Sequence, residues 1–217
     1  MRILVTGFEP FGRLVDNPSQ RLLGQLCAAD FHAAAELRLE LLPTSYAGSE
    51  QRIRALLDEL HPQLCLCLGV AQNRQAICLE RVAVNLDDCS LADNAGELRS
   101  GREIVSGTPL AMQSRLPLGE LIEATGTGED GELRFTISNY AGNFVCNHVY
   151  YAALEYTARR SMSTQCLFVH VPMTAECRGP REQYGWELPG QSQLHAAVRR
   201  LTGALGKLLA GAALQDA

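Results

Sequence analysis

The chain has 217 residues, 47% of them hydrophobic and 20% charged, enough to build one domain of moderate size around a substantial core. Nineteen basic residues against twenty-four acidic ones give a net charge of -5, without long runs of either sign, which argues against nucleic acid or an anionic membrane as the main partner. No apolar stretch reaches the roughly 18 residues that a membrane-spanning helix needs.

The chain opens at once on an apolar strand, residues 3–6. Its apolar part is too short for a signal peptide, so the expectation is a cytoplasmic protein with reduced thiols. Residues 7–18 are a loop of Gly, Pro and Asn, and residues 19–27 read as a helix with Ser19 as its cap. Residues 36–42 alternate polar and apolar, as a half-exposed strand does. Residues 45–60 carry Ile53, Leu56, Leu57 and Leu60 at helical spacing, and Pro62 stops that helix. Residues 64–70 are wholly apolar, the pattern of a strand buried on both faces.

Residues 77–84 read as the next strand, followed by a polar loop over 87–106 with a turn at Asp93-Asn94-Ala95-Gly96. A strand over 133–138 runs into a Gly-containing turn and a helix over 143–157. A buried strand over 166–171 ends at Pro172, and the last helix covers 191–209. This alternation predicts a single α/β domain over residues 1–217, with a largely parallel twisted sheet flanked by helices on both faces. In such sheets functional groups collect where strands end and helices begin.

Three residues stand out against this frame. Cys146 falls in the first turn of the 143–157 helix, where free N–H groups and the helix dipole favour a thiolate and an oxyanion. The alternative is a small core residue packing the helix on the sheet, the expected state of most of the eight cysteines, whose spacing shows neither C-x-x-C nor a paired zinc pattern. His170 lies in an apolar strand just before Pro172 and must have a hydrogen-bond partner, either a functional one or the backbone. Glu80 shares a strand face with Cys78, Val82 and Val84, where a carboxylate is costly unless paired. Its neighbour Arg81 points to the opposite face, which leaves an imidazole from elsewhere or a distant arginine. Together the three supply a nucleophile, a base and an orienting acid.

Four segments carrying these residues resemble the pyrrolidone-carboxylate peptidases, also called pyroglutamyl peptidase I. They are Thr6-Gly-Phe-Glu-Pro-Phe-Gly12 with Asn17-Pro18-Ser19, Gly69-Val-Ala-Gln-Asn-Arg74 followed by Glu80-Arg-Val-Ala-Val-Asn85, Ala141-Gly-Asn-Phe-Val-Cys-Asn147, and His170-Val-Pro172. The resemblance implies a cysteine peptidase that removes N-terminal pyroglutamate from peptides through Cys146, His170 and Glu80, with no metal and no cofactor. It implies a homo-oligomer, often a tetramer. It makes Phe8 and Phe11 the walls around the lactam ring, with Asn17 and Val70 as further substrate-binding positions. Four departures stand against the family pattern: Val70 for a glutamine, Cys78 for serine or threonine, Tyr140 for a small residue, and Ser90 for an arginine near the active site. They leave two other readings open: an amidase or peptidase of the same fold with altered specificity, and a weakened homologue that binds a ligand or partner.

Overall fold

The strand Leu64–Val70 is buried along its whole length and carries no charged side chain, so it has to be covered on both faces. The computed structural model describes residues 1–31, 35–126, 132–179 and 184–215. In chain order it contains β1 (Arg2–Phe8), α1 (Pro18–Leu23), β2 (Glu36–Leu42), α2 (Tyr46–Leu60), β3 (Leu64–Val70), β4 (Ile77–Glu80), β5 (Val82–Val84), β6 (Ala111–Gln113), α3 (Leu118–Thr125), β7 (Phe135–Ser138), α4 (Val145–Arg159), β8 (Gln165–Val171) and α5 (Gln191–Gln215). A single 3-10 turn, Ala28–Phe31, follows α1. The main sheet runs β2-β1-β3-β8-β4-β7, with β3 and β8 at its centre.

Strand parity assigns the two faces. Ile3, Val5, Leu64, Leu66, Leu68, Leu167 and Val169 point to one side, where they pack against α1, α3 and α5. Leu4, Cys65, Cys67, Cys166 and Phe168 point to the other, under α2 and α4. The fold is therefore α/β with helices on both faces. Four of the five strand pairings in the main sheet are parallel, and the exception is β4 against β8.

That exception corrects the reading of residues 77–84 as one strand. The strand breaks at Arg81, whose N–H donates to Ser138 O at 2.7 Å and whose carbonyl accepts from Ser114 N at 2.9 Å. Arg81 is thus shared between two sheets: β4 stays in the main one, and β5 leaves to pair antiparallel with β6. Residues 111–125, given no element from sequence, hold β6 and α3. Among the described residues no helix is long and apolar enough to cross a membrane.

The first helix is also capped differently. Its cap is Asn17, not Ser19: the Asn17 carboxamide oxygen accepts from Ser19 N at 3.0 Å and Ser19 Oγ at 2.9 Å, and Pro18 occupies the first helical position. The other end of the same amide donates to Glu9 O at 3.1 Å, which fixes the loop after β1. The long segment between β5 and β6 is ordered by side chains. Asn85 receives Ile104 N and Val105 N at 2.8 and 2.9 Å, and Asp93 receives Tyr46 N at 2.8 Å.

Asn17 is fully buried with both ends of its amide engaged. Asn17→Ala is therefore expected to lower unfolding stability by about 1–2 kcal/mol, the range for losing a helix cap. Chemical denaturation checks this; unchanged stability with weakened substrate binding would make Asn17 a ligand contact instead.

Candidate active site

The site begins with strand register. In the parallel β3–β8 pair Gly69 lies opposite His170, and in the antiparallel β4–β8 pair Cys78 lies opposite His170 and Glu80 opposite Phe168. Parity turns His170, Phe168, Cys78 and Glu80 to the face covered by α4. There Glu80 Oε1 meets His170 Nδ1 at 2.8 Å. Glu80 is completely buried and His170 is 5% exposed, so water cannot stand in for either partner. Nδ1 donates to the carboxylate, which leaves Nε2 with a free lone pair, the form a general base requires.

Arg74, in the turn between β3 and β4, places Nη1 2.5 Å from the same Glu80 oxygen. Its Nη2 donates to Tyr140 O at 2.8 Å. The Tyr150 hydroxyl, one α4 turn beyond Cys146, donates to the Glu80 backbone carbonyl at 2.8 Å.

Cys146 is the second residue of α4, after an extended cap at Phe144. The preceding turn uses Gly142 at φ 87°, a left-handed conformation that favours glycine. Asn143 is tied in both directions to Asp88, and Asn147 bonds Val84 N and Val84 O at 2.9 Å each. The helix start is thereby clamped to the segment around β5, and its first N–H groups have no intrahelical acceptor. Room for the thiol comes from Gly69: a Cβ there would stand 3.0 Å from Cys146 Sγ and 2.7 Å from Phe168 Cζ. Sγ therefore lies over the strand position that pairs with His170.

Burial pushes the Cys146 thiol up to about 12, Glu80 and Cys67 push the same way, and Arg74 opposes them. Burial also lowers His170 below the ordinary imidazole value, against the raising effect of the Glu80 hydrogen bond, while Arg74 lowers it further. Both shifts favour the neutral thiol and the neutral imidazole over the ion pair. All eight cysteines are free thiols.

The substrate positions expected from the resemblance are distributed around this centre. The Phe8 ring is buried 6.2 Å from Phe168, whose ring lies 4.8 Å from His170. Phe11 is half-buried and packs 5.8 Å from Phe144, the α4 cap. Val70 is buried with Leu14, Met173 and Cys177, and Phe11 packs against that cluster. Asn17 sits behind the loop as its cap, and Ser90 is exposed on the β5–β6 segment. Sequence reasoning missed Gly69 and assigned no carboxylate partner to Arg74. It also missed a buried assembly under α4, in which His148 bonds Asp87 at 2.9 Å and Glu50 at 3.2 Å while Asp87 bonds Arg99 at 2.7 Å.

A thiol at a helix start, an imidazole and a buried carboxylate at the edge of an α/β sheet are the groups of a nucleophilic hydrolase. Comparison with known proteins narrows this class. The family model described as pyroglutamyl peptidase matches residues 1–205. A pyrrolidone-carboxylate peptidase of Pseudomonas fluorescens is 34% identical over 206 residues, covering 90% of each chain, and one of Treponema denticola is 34% identical over 179 residues, covering 81% of this chain and 80% of the relative. Among solved structures, pyrrolidone carboxyl peptidase of Fervidobacterium islandicum superposes with a TM-score of 0.87 at 30% identity, over 95% of this chain and 99% of its own. Pyroglutamyl peptidase I of Bacillus amyloliquefaciens gives 0.84 at 28% identity, over 95% and 97%. The chain belongs to the pyroglutamyl peptidase family.

The lowered His170 value sets the expected pH profile. With His170 as the expected base, activity needs the neutral imidazole and falls as pH drops through the His170 value, so the acid limb of kcat/KM should lie below about pH 6.5, the unperturbed histidine value. A limb at or above that value, measured in wild-type enzyme, would mean that burial does not dominate at His170.

Proposed function

We propose that this protein is a cysteine peptidase that removes N-terminal pyroglutamate from peptides, with Cys146 as nucleophile, His170 as base and Glu80 as the residue orienting the imidazole. The observation that carries the reading is the 2.8 Å Glu80–His170 bond beneath a thiol at the start of α4, over a glycine. The four sequence segments and the family relatives support the substrate assignment.

His170 Nε2 takes the thiol proton as Sγ attacks the carbonyl joining pyroglutamate to the next residue. With burial favouring the neutral thiol, proton transfer accompanies attack, and Glu80 stabilises the imidazolium that forms. The oxyanion faces backbone N–H groups at the start of α4. His170 then gives its proton to the departing amine, and a thioester links pyroglutamate to Cys146. Water, deprotonated by His170, hydrolyses that thioester and returns the thiol.

The lactam ring is small and uncharged, so apolar walls select it over an open glutamate, whose carboxylate would lose its hydration there. Phe11 and Val70 supply such walls next to the Phe144 cap, and the buried Phe8 supports Phe168 from behind. With Ser90 carrying no charge, backbone donors bear the oxyanion. A thiol nucleophile fits the reducing cytoplasm, and assembly as a homo-oligomer follows the family expectation.

Purified, reduced protein is expected to hydrolyse a pyroglutamyl-aminocoumarin amide, and Cys146→Ala to lose that activity entirely. Full activity in Cys146→Ala would end the assignment of the nucleophile. Phe11→Ala should weaken substrate binding by about 1–3 kcal/mol, the range for one buried apolar side chain. An unchanged KM would move the ring pocket elsewhere.

A further inference from the structure

We infer that Arg74 is a positioning residue that ties the carboxylate orienting His170 to the turn carrying Cys146, so that base and nucleophile keep one register. The inference rests on the Cys146–His170–Glu80 reading above. Arg74 is the link that reaches the Glu80 carboxylate itself, beside the Tyr150 hydroxyl on the Glu80 main-chain carbonyl and the Arg81 contact with Asn139. Glu80 and His170 come from neighbouring strands and are held together by the sheet, with Cys78 opposite His170. Cys146 comes from a helix entered through residues 139–144, outside the main sheet.

The guanidinium spans this gap with two different nitrogens. Nη1 lies 2.5 Å from Glu80 Oε1, the same oxygen that meets His170 Nδ1 at 2.8 Å, and Nη2 lies 2.8 Å from Tyr140 O. The acceptor on the turn is a main-chain carbonyl, so the contact does not depend on the identity of residue 140. The Tyr140 residue is itself 52% exposed, which explains why a large residue is accommodated where a small one is usual. Arg81, the other nearby guanidinium, is exposed and donates to Asn139 Oδ1 at 3.1 Å, leaving the carboxylate to Arg74.

A fixed planar fork is needed for this task. An ammonium on a flexible stem supplies the same charge but cannot hold two acceptors in one rigid geometry. The charge has a separate effect, since Arg74 disfavours protonation of His170 and favours ionisation of Cys146. The charged groups that act on His170 are Glu80, which bonds it, and Arg74, with Cys78 its pairing partner on β4; Arg74 is the one cation among them.

Two substitutions separate geometry from charge. Arg74→Lys keeps the cation and should lower kcat about ten- to a hundredfold with little change in KM, the scale of a small misplacement at a reacting centre. Its acid limb in kcat/KM should stay near the wild-type position. Arg74→Gln removes the cation as well and should move that limb up by about one to three pH units, the range over which a neighbouring charge shifts a titrating group. The rate of Cys146 alkylation by iodoacetamide, read by mass spectrometry without substrate, should fall in Arg74→Gln at neutral pH. Wild-type kcat in folded Arg74→Lys would overturn the positioning role, and an unmoved acid limb in folded Arg74→Gln would overturn the electrostatic one. Failure of the triad itself is read separately, as retained activity in Cys146→Ala.

Discussion

A carboxylate with no exposure to water is the constraint on which the site depends. Glu80 sits on the α4 face of the sheet, where its ionised form is costly unless donors surround it. Two donors converge on one of its oxygens: the imidazole of His170 and the guanidinium of Arg74. That requirement explains several local features together. β4 must enter the sheet beside β8, antiparallel to it, to bring Glu80 beside His170. The turn between β3 and β4 must present Arg74 inward. Tyr150 must close over the Glu80 carbonyl from α4.

Cys146 is placed by a different set of constraints. Gly69 removes a Cβ that would collide with both Phe168 and the Cys146 thiol, so a single missing methyl lets the helix start approach the sheet. The Asn147 carboxamide fixes the helix to β5, and Asn143 fixes it to Asp88. Below them His148 is held between Asp87 and Glu50. Burial opposes its charge, yet the hydrogen bonds to those two carboxylates outweigh burial and raise its pKa. Arg99 completes this assembly and lies 4.4 Å over the Tyr46 ring, which in turn packs on Phe144. The charges under α4 therefore support the Phe144 ring, which packs on Phe11.

Much of this was legible in the sequence because strand parity and helix starts are local signals. Apolar runs at 64–70 and 166–171 mark central strands, and parity alone puts Glu80 on a face that needs a partner. The choice left open there, imidazole or arginine, is resolved as both: His170 and Arg74 share one oxygen. That arrangement could not be read from spacing, since it depends on which strands become neighbours. The break at Arg81 was hidden for a similar reason. Residues 77–84 keep one alternating pattern, while the hydrogen bonds of Arg81 go to two different sheets. The Asn17 cap was displaced by two residues because Asn and Ser are both good caps, and Pro18 at the first helical position is what decides between them. Gly69 looked like an ordinary strand residue, and its role appears only when the helix above it is in place.

The account makes one thiol among eight the nucleophile and predicts that the acyl group recognised is pyroglutamyl. An affinity label joins both statements in one measurement: reduced enzyme treated with a pyroglutamyl chloromethyl ketone, followed by peptide mapping of the alkylated site. The account predicts labelling confined to Cys146, loss of activity in proportion to labelling, and protection by a pyroglutamyl amide. Inactivation with the label on any other residue, or labelling of Cys146 that leaves activity intact, would contradict it.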